Sequence, residues 1–187
     1  SSGVKLYTIV APAIYSNFKD YRKVNYFLKK IGSKKIFDVS YGAELATKTY
    51  VELIKKDTMD CIITQPCPSI VSFIELYKPE LIKKLSPAHS PMMHTIKYAE
   101  NKFEELKYMN ILVISPCIAK KNELSECIKN KKFYNITFKS LKSMMKEYNL
   151  SSFSDINFDN PESERAVSFP TPGGLLNTVS REIKNAV

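Results

Sequence analysis

Asn110–Ser115 reads NILVIS and runs straight into Pro116-Cys117-Ile118-Ala119-Lys120. An uncharged, Ile/Val/Leu-rich run of this length reads as a strand buried on both faces, the kind found in parallel sheets. The proline, cysteine and following helical pattern then read as a turn that opens a helix. The same junction is written once more upstream, where Asp60–Thr64 (DCIIT) leads through Gln65-Pro66 to Cys67-Pro68. Strand, short turn, helix and strand again is the grammar of βαβ units, so the expected fold class is α/β with mainly parallel strands flanked by helices.

The rest of the chain follows this rhythm. Lys5–Val10 (KLYTIV) is predicted as a buried strand ending at Ala11-Pro12, and Asn17–Ile31 as a helix stopped by Gly32. Lys35–Val39 is a second strand, and Ala43–Lys56 a helix with Leu45, Tyr50, Val51 and Ile54 on its apolar stripe. Asp60–Thr64 is the third strand. Downstream, the spacing predicts one long helix over Ser90–Lys107, the NILVIS strand, a helix over Ala119–Lys129, a strand near Lys132–Ile136 and a helix over Ser140–Tyr148. Ser151–Glu164 is polar, carries an Asn160-Pro161 turn and reads as loop. Residues 169–183 (FPTPGGLLNTVSREI) read as a Gly-Gly turn opening a helix that looks cut short.

The 187 residues suit one domain or two small lobes sharing a core, and 44% hydrophobic with 25% charged residues is the profile of a globular protein. No apolar run approaches the roughly 20 residues that span a bilayer. The opening SSGVKLYTIVAP lacks the layout of a signal peptide, so a cytoplasmic location is expected. The net charge of +9 raises the question of nucleic acid. Its distribution argues against it: Lys29-Lys30, Lys34-Lys35, Lys55-Lys56, Lys83-Lys84, Lys120-Lys121 and Lys131-Lys132 are spread along the chain, and the arginines are only Arg22, Arg165 and Arg181. A nucleic-acid binder gathers charge into a stripe and favours arginine. Scattered lysines instead solvate a surface or meet an acidic partner protein such as a ferredoxin.

Four cysteines occur, Cys61, Cys67, Cys117 and Cys127, in a spacing that fits no zinc ribbon or two-cluster ferredoxin. Cys61 sits inside the predicted third strand and is expected to be buried as a small hydrophobe; Cys127 reads as an incidental thiol on a lysine-rich helix. Cys67 and Cys117 each follow a strand and open a helix, where unpaired N–H groups and the positive dipole end favour the thiolate that binds iron. Both also stand at the carboxyl ends of strands, where open parallel sheets place ligands. Lys120, one turn after Cys117, adds a cation suited to an anionic cofactor. On physical grounds alone a ligand role and a packing role remain balanced for this pair.

Taken together, these segments resemble the catalytic domain of iron-only (FeFe) hydrogenases. TQPCPSI at Thr64–Ile70 with FIELYKPELIKKLSPAHSPM at Phe73–Met92 is similar to the family's first cluster motif, Thr-Ser-Cys-Cys-Pro-Gly-Trp followed by Pro-Glu-Leu and Ser-Pro. SPCIAKKNE at Ser115–Glu123 is similar to the second, Met-Pro-Cys-x-x-Lys-x-x-Glu. APAI at Ala11–Ile14, FDVSYGAEL at Phe37–Leu45 and FPTPGG at Phe169–Gly174 match three further signatures in family order. The resemblance implies two lobes of mainly parallel sheet, about 1–85 and 86–187, with a cofactor cleft between them. That cofactor is the H-cluster, a 4Fe-4S cubane bridged to a two-iron centre carrying carbonyl and cyanide ligands. It further implies that Cys67 and Cys117 are two of four cubane ligands facing one shared cleft, and that Lys120 hydrogen-bonds a cyanide. Ala11, Pro12, Ser90, Pro91, Met92 and Phe169 would line the two-iron pocket, and Glu123 sits where the family has an acid on its proton route.

Three departures qualify this. Pro66 stands where catalytic members carry the proton-shuttling cysteine, Ser115 replaces the methionine before the second cysteine, and no cysteine follows Cys127 to supply the family's third motif. The expectation is therefore a chain cut before that motif, which by itself holds no intact 4Fe-4S cluster. The resemblance implies a divergent, clostridial-type sensory branch joined to ferredoxin-type, PAS or signalling modules, detecting hydrogen or redox state with little turnover. The alternatives are a working hydrogenase (2H⁺ + 2e⁻ ⇌ H₂) with another proton route, and a cluster-free protein-interaction module.

Overall fold

The computed structural model describes residues 4–56, 61–64, 67–148, 153–163, 166–169 and 171–183. Four strands, β1 (Leu6–Val10), β2 (Ser33–Asp38), β3 (Asn110–Ile114) and β4 (Phe133–Ile136), form one parallel sheet in the order β2-β1-β3-β4. The α/β expectation holds, with a single sheet drawing two strands from each side of residue 85. Its two central strands are uncharged because both faces are covered. Tyr7, Ile9, Ile111 and Val113 point to one side, and Val10, Leu112 and Ile114 to the other. The period-2 alternation of a strand thus feeds two separate cores.

The first face is covered by α3 (Val39–Lys55) and α5 (Pro91–Lys102), which pack on each other. They approach closely because residue 42 is glycine: a Cβ there would lie 2.1 Å from both the Pro91 carbonyl oxygen and Thr95 Oγ1. The second face carries α2 (Tyr21–Lys30) and α7 (Phe138–Glu147), through Val24, Phe27, Leu28, Phe138 and Leu141. A short α1 (Ile14–Asn17) follows β1, α4 (Pro68–Tyr77) follows Cys67, α6 (Lys120–Cys127) follows Cys117, and α8 (Gly174–Glu182) packs on α3 through Ala46, Tyr50, Val51 and Val179. The Gly-Gly turn opens α8 as predicted, Gly173 adopting a left-handed φ of 75°. Gly32 ends α2 at φ 111°. Among the described residues no helix is long and apolar enough to cross a membrane.

Several elements differ from the sequence reading. The predicted third strand is reduced to one bridge, Ile63 with Leu85, and Cys61 is exposed rather than buried; Asp60 lies outside the described residues. Among the described residues this segment pairs with none of the four strands. β1 is flanked by β2 and β3, while the outer edge of β2 is taken by the polar segment 153–163. There the Ile36 carbonyl accepts from Asp159 N–H (2.7 Å), Ile36 N–H reaches Asp159 Oδ2 (2.8 Å), and Asp38 N–H reaches Asn160 Oδ1 (2.7 Å). The predicted loop thus closes a sheet edge. The helix expected over Asn17–Ile31 starts only at Tyr21, because Asp20 caps it by accepting from Arg22 N–H while Phe18 is extended. The long helix over Ser90–Lys107 breaks at Phe103, which leaves the helical region so that its ring can pack near Phe37. A 3₁₀ turn, Glu104–Tyr108, completes it.

Candidate functional site

The chain runs from β1 to one edge through β2, then returns to lay β3 on β1's other side, so the connections diverge between β1 and β3. In open parallel sheets the ligand crevice opens at the carboxyl ends of such a diverging pair. A cavity of about 250 Å³ lies there. Its floor is formed by Ile9, Val113 and Ile114 at the strand ends, and its rim by the turns that leave them, Ala11-Pro12-Ala13 and Ser115-Pro116-Cys117. Pro91 and Met92 at the start of α5, Val39 and Ala43 on α3, Phe169 and Lys120 complete the lining. Among the described residues the walls are almost wholly apolar, with one cation, one thiol and one hydroxyl.

Local sequence explains each wall. Ala11 N–H prolongs the ladder to the Ile114 carbonyl (2.8 Å) before Pro12 ends it. Ser90 caps α5, its Oγ accepting from Met93 N–H (3.3 Å), and Pro91 occupies the first turn, which leaves the buried Met92 facing the cavity. Gly42 lets α3 bring Val39 and Ala43 against that turn.

The structure therefore gathers Ala11, Pro12, Pro91, Met92, Lys120, Phe169 and Cys117 around one cavity. Ser90, Glu123 and Cys67 are outside its lining. Ser90 and Glu123 line a neighbouring cavity of about 270 Å³, together with Pro68, Glu75, His89, Glu126 and Cys127. Cys67 stands at the N-cap of α4 with Pro68 following it, so the helix start is as predicted, whereas the strand expected before it is reduced to the Ile63–Leu85 bridge; Gln65 and Pro66 lie outside the described residues. Lys120 and Glu123 form an ion pair of 3.1 Å, their side chains 18% and 14% exposed, which links the lining of one cavity to that of the other.

The Cys117 turn is braced. Ser115 Oγ accepts from Cys117 N–H and donates to the Cys117 carbonyl, both at 3.1 Å, and Asn135 Nδ2 donates to the same carbonyl at 3.0 Å. Ala119 N–H points to Cys117 Sγ at 3.4 Å, so the sulfur meets a helix-entry amide as expected. Burial, and then Glu123 and Glu126, push the Cys127 thiol up and keep it protonated, which suits an incidental thiol. Across α5, burial followed by His89 and Lys97 holds His94 below the usual imidazole range, with its Nε2 buried. Among the described residues no group of three or more His, Cys, Asp or Glu side chains is placed to hold a metal ion.

Sequence reasoning noted Ser115 only as a departure, and missed Asn135 and Gly42 as supports. Asn135 reaches the turn because Val113 and Asn135 are register partners; neither residue reveals that pairing alone.

Comparison with known proteins points one way. The sequence profile described as "Iron only hydrogenase large subunit, C-terminal domain" matches residues 4–187. Iron hydrogenase 1 of Clostridium pasteurianum is 28% identical over 110 residues, an alignment covering 54% of this chain and 19% of that protein. A [FeFe]-hydrogenase solved in connection with oxygen inactivation of its H cluster 2Fe subcluster superposes with a TM-score of 0.69 at 22% identity, over 84% of this chain and 47% of the other. A glutamate variant of HydA1 from Chlamydomonas reinhardtii gives 0.68 at the same identity, over 84% and 46%. The chain thus spans about half the length of the solved hydrogenases it resembles.

Proposed function

The chain belongs to the family of iron-only hydrogenase C-terminal domains, and from that premise we propose that it forms part of an H-cluster-binding domain that senses hydrogen or redox state with little turnover. The observation that carries the cluster-binding part of this reading is the switch-point cavity, where apolar walls from Ala11, Pro12, Pro91, Met92 and Phe169 surround the Lys120 cation beside Cys117. Such a donor set fits a small, anionic, carbonyl- and cyanide-bearing two-iron group: the apolar walls exclude water, and Lys120 supplies charge and hydrogen bonds. For the cubane the chain offers Cys67 and Cys117, two of the four thiolates such clusters use. Bound there, the group supplies electron storage and the metal site at which hydrogen is made or split.

Sensing rather than turnover rests on Pro66. Moving protons to a buried centre requires a group that binds and releases them within hydrogen-bond reach, and proline has neither an ionisable side chain nor an N–H. Losing a positioned acid–base group lowers rate by about 10²–10⁴. The complete, matured polypeptide is expected to evolve hydrogen slowly with a strong reductant, and Pro66→Cys to recover part of that rate at equal cluster loading. Wild-type rates equal to those of catalytic relatives would refute the sensory reading.

One observation favours the working hydrogenase as a second reading. The Lys120–Glu123 pair connects the switch-point cavity to the acidic neighbouring one, and could carry protons by another route. Glu123→Gln distinguishes the readings, since it would depress turnover only if that route operates. For the whole protein, a cytoplasmic location and an acidic ferredoxin-type electron partner, with PAS or signalling modules in the same polypeptide, complete the proposal; the dispersed lysines support such a partner.

A further inference from the structure

The backbone of Cys117 is held more firmly than an exposed turn requires. Cys117 is exposed, and a turn leaving a strand on the surface is ordinarily among the more mobile parts of a fold. Here its N–H and its carbonyl are both engaged by side chains rather than by packing. Ser115 Oγ accepts a hydrogen bond from the N–H and donates one to the carbonyl, and Asn135, one strand further out on β4, donates to the same carbonyl. Ser115 is itself buried and continues the ladder by donating its N–H to the Ile136 carbonyl at 3.1 Å. The turn is thus pinned to the carboxyl ends of both β3 and β4.

The arrangement at Asn135 indicates what the pinning is for. Its Oδ1 is buried with no hydrogen-bond partner. A half-buried strand position that leaves an acceptor unsatisfied is a poor choice for stability, and an apolar residue of similar size would serve the sheet better. What asparagine provides there is the bond to Cys117.

We propose that Ser115 and Asn135 are positioning residues that fix the Cys117 turn so that its sulfur is presented as a metal ligand, an inference that rests on the cluster-binding reading above. Partners that orient a ligand from behind typically change metal affinity by about 10–100-fold when removed. The test uses the complete polypeptide with its iron–sulfur cluster reconstituted. Cluster retention against a chelator and the cluster's midpoint potential are measured for wild type, Ser115→Ala, Ser115→Thr, Asn135→Leu and Cys117→Ser, alongside thermal melting of each cluster-free protein. The expected result is cluster loss about tenfold or more faster in Ser115→Ala and Asn135→Leu, with a shifted potential, and near wild-type retention in Ser115→Thr, which keeps the hydroxyl. Asn135→Leu should melt no lower than wild type, which separates positioning from a structural role. If Cys117→Ser strips the cluster while Ser115→Ala and Asn135→Leu retain it like wild type, the positioning role is overturned and the ligand reading stands. If Cys117→Ser retains the cluster, the ligand reading itself falls, and the positioning role with it.

Discussion

Cys67 and Cys117 lie in nearly the same run of sequence, an apolar stretch, a proline, the cysteine and a helix, yet the molecule treats the two stretches differently. The one before Cys117 is β3, an interior strand with Ile111, Leu112, Val113 and Ile114 all buried. The one before Cys67 contributes a single bridge at Ile63, and its Cys61 is exposed. The Cys117 turn is braced by two side chains, whereas Cys67 caps α4 without a side-chain hydrogen bond. Local pattern therefore specified both helix starts, whereas an apolar run before a proline did not by itself make a strand of the sheet.

Substitution within the two stretches should break this comparison most sharply. Ile114→Ala removes a fully buried side chain from the second core and should cost about 2–5 kcal/mol, read by denaturant unfolding. Ile63→Ala, at a partly exposed bridge, should cost about 1 kcal/mol. Equal losses would mean that residues 61–64 are as much part of the sheet as β3.

The close contact of α3 with α5 provides the next test, because it sets the wall of the Cys117 cavity and leaves the Cys67 turn alone. Gly42→Ala drives a Cβ into the Pro91 carbonyl, and the helices must part or shift, at about 1–3 kcal/mol. Hydrogen exchange should rise at the start of α5 around Met92 and stay unchanged across α4. A rise confined to α4 would contradict the packing described.

These two tests also mark what the sequence could convey. The junction at Cys117, the Ser90-Pro91 helix start and the Gly173 turn are local chemistry, and were legible. So was the company of Ala11, Pro12, Met92, Lys120 and Phe169 around one cavity, because the family signatures place them in order. The loss of a third strand was not legible, and neither was the closing of the β2 edge by Asp159 and Asn160, 123 and 122 positions from their β2 partners. Nor was the bracing by Asn135, which depends on the β3–β4 register. The division of the expected site between two cavities likewise emerges only once α4, α5 and α6 are placed.

Thiol labelling of the cluster-free protein gives a smaller, direct reading of the difference. Cys117 and Cys61 are exposed and Cys67 is half-buried, so a neutral alkylating reagent followed by peptide mapping should mark Cys67 more slowly than the other two. Labelling of Cys67 ahead of Cys61 would reverse the contrast.

The smallest effect concerns pH. His94 has a folded-state pKa lowered mainly by burial, so folding favours the neutral ring. Its contribution is full above the unfolded value of 6.5 and is lost as pH falls from there toward the folded value. Stability should decline gently below that pH, and His94→Leu should flatten the decline. An unchanged slope would remove His94 as its source.

If the switch-point cavity beside Cys117 and Lys120 holds the two-iron part of an H-cluster, infrared spectroscopy of the complete, matured polypeptide shows it most directly, because carbonyl and cyanide stretches fall where protein does not absorb. Those bands are expected in the wild type, with shifted cyanide bands in Lys120→Met and loss of the bands in Cys117→Ser. A fully iron-loaded wild type without such bands, or bands untouched by either substitution, would contradict the assignment.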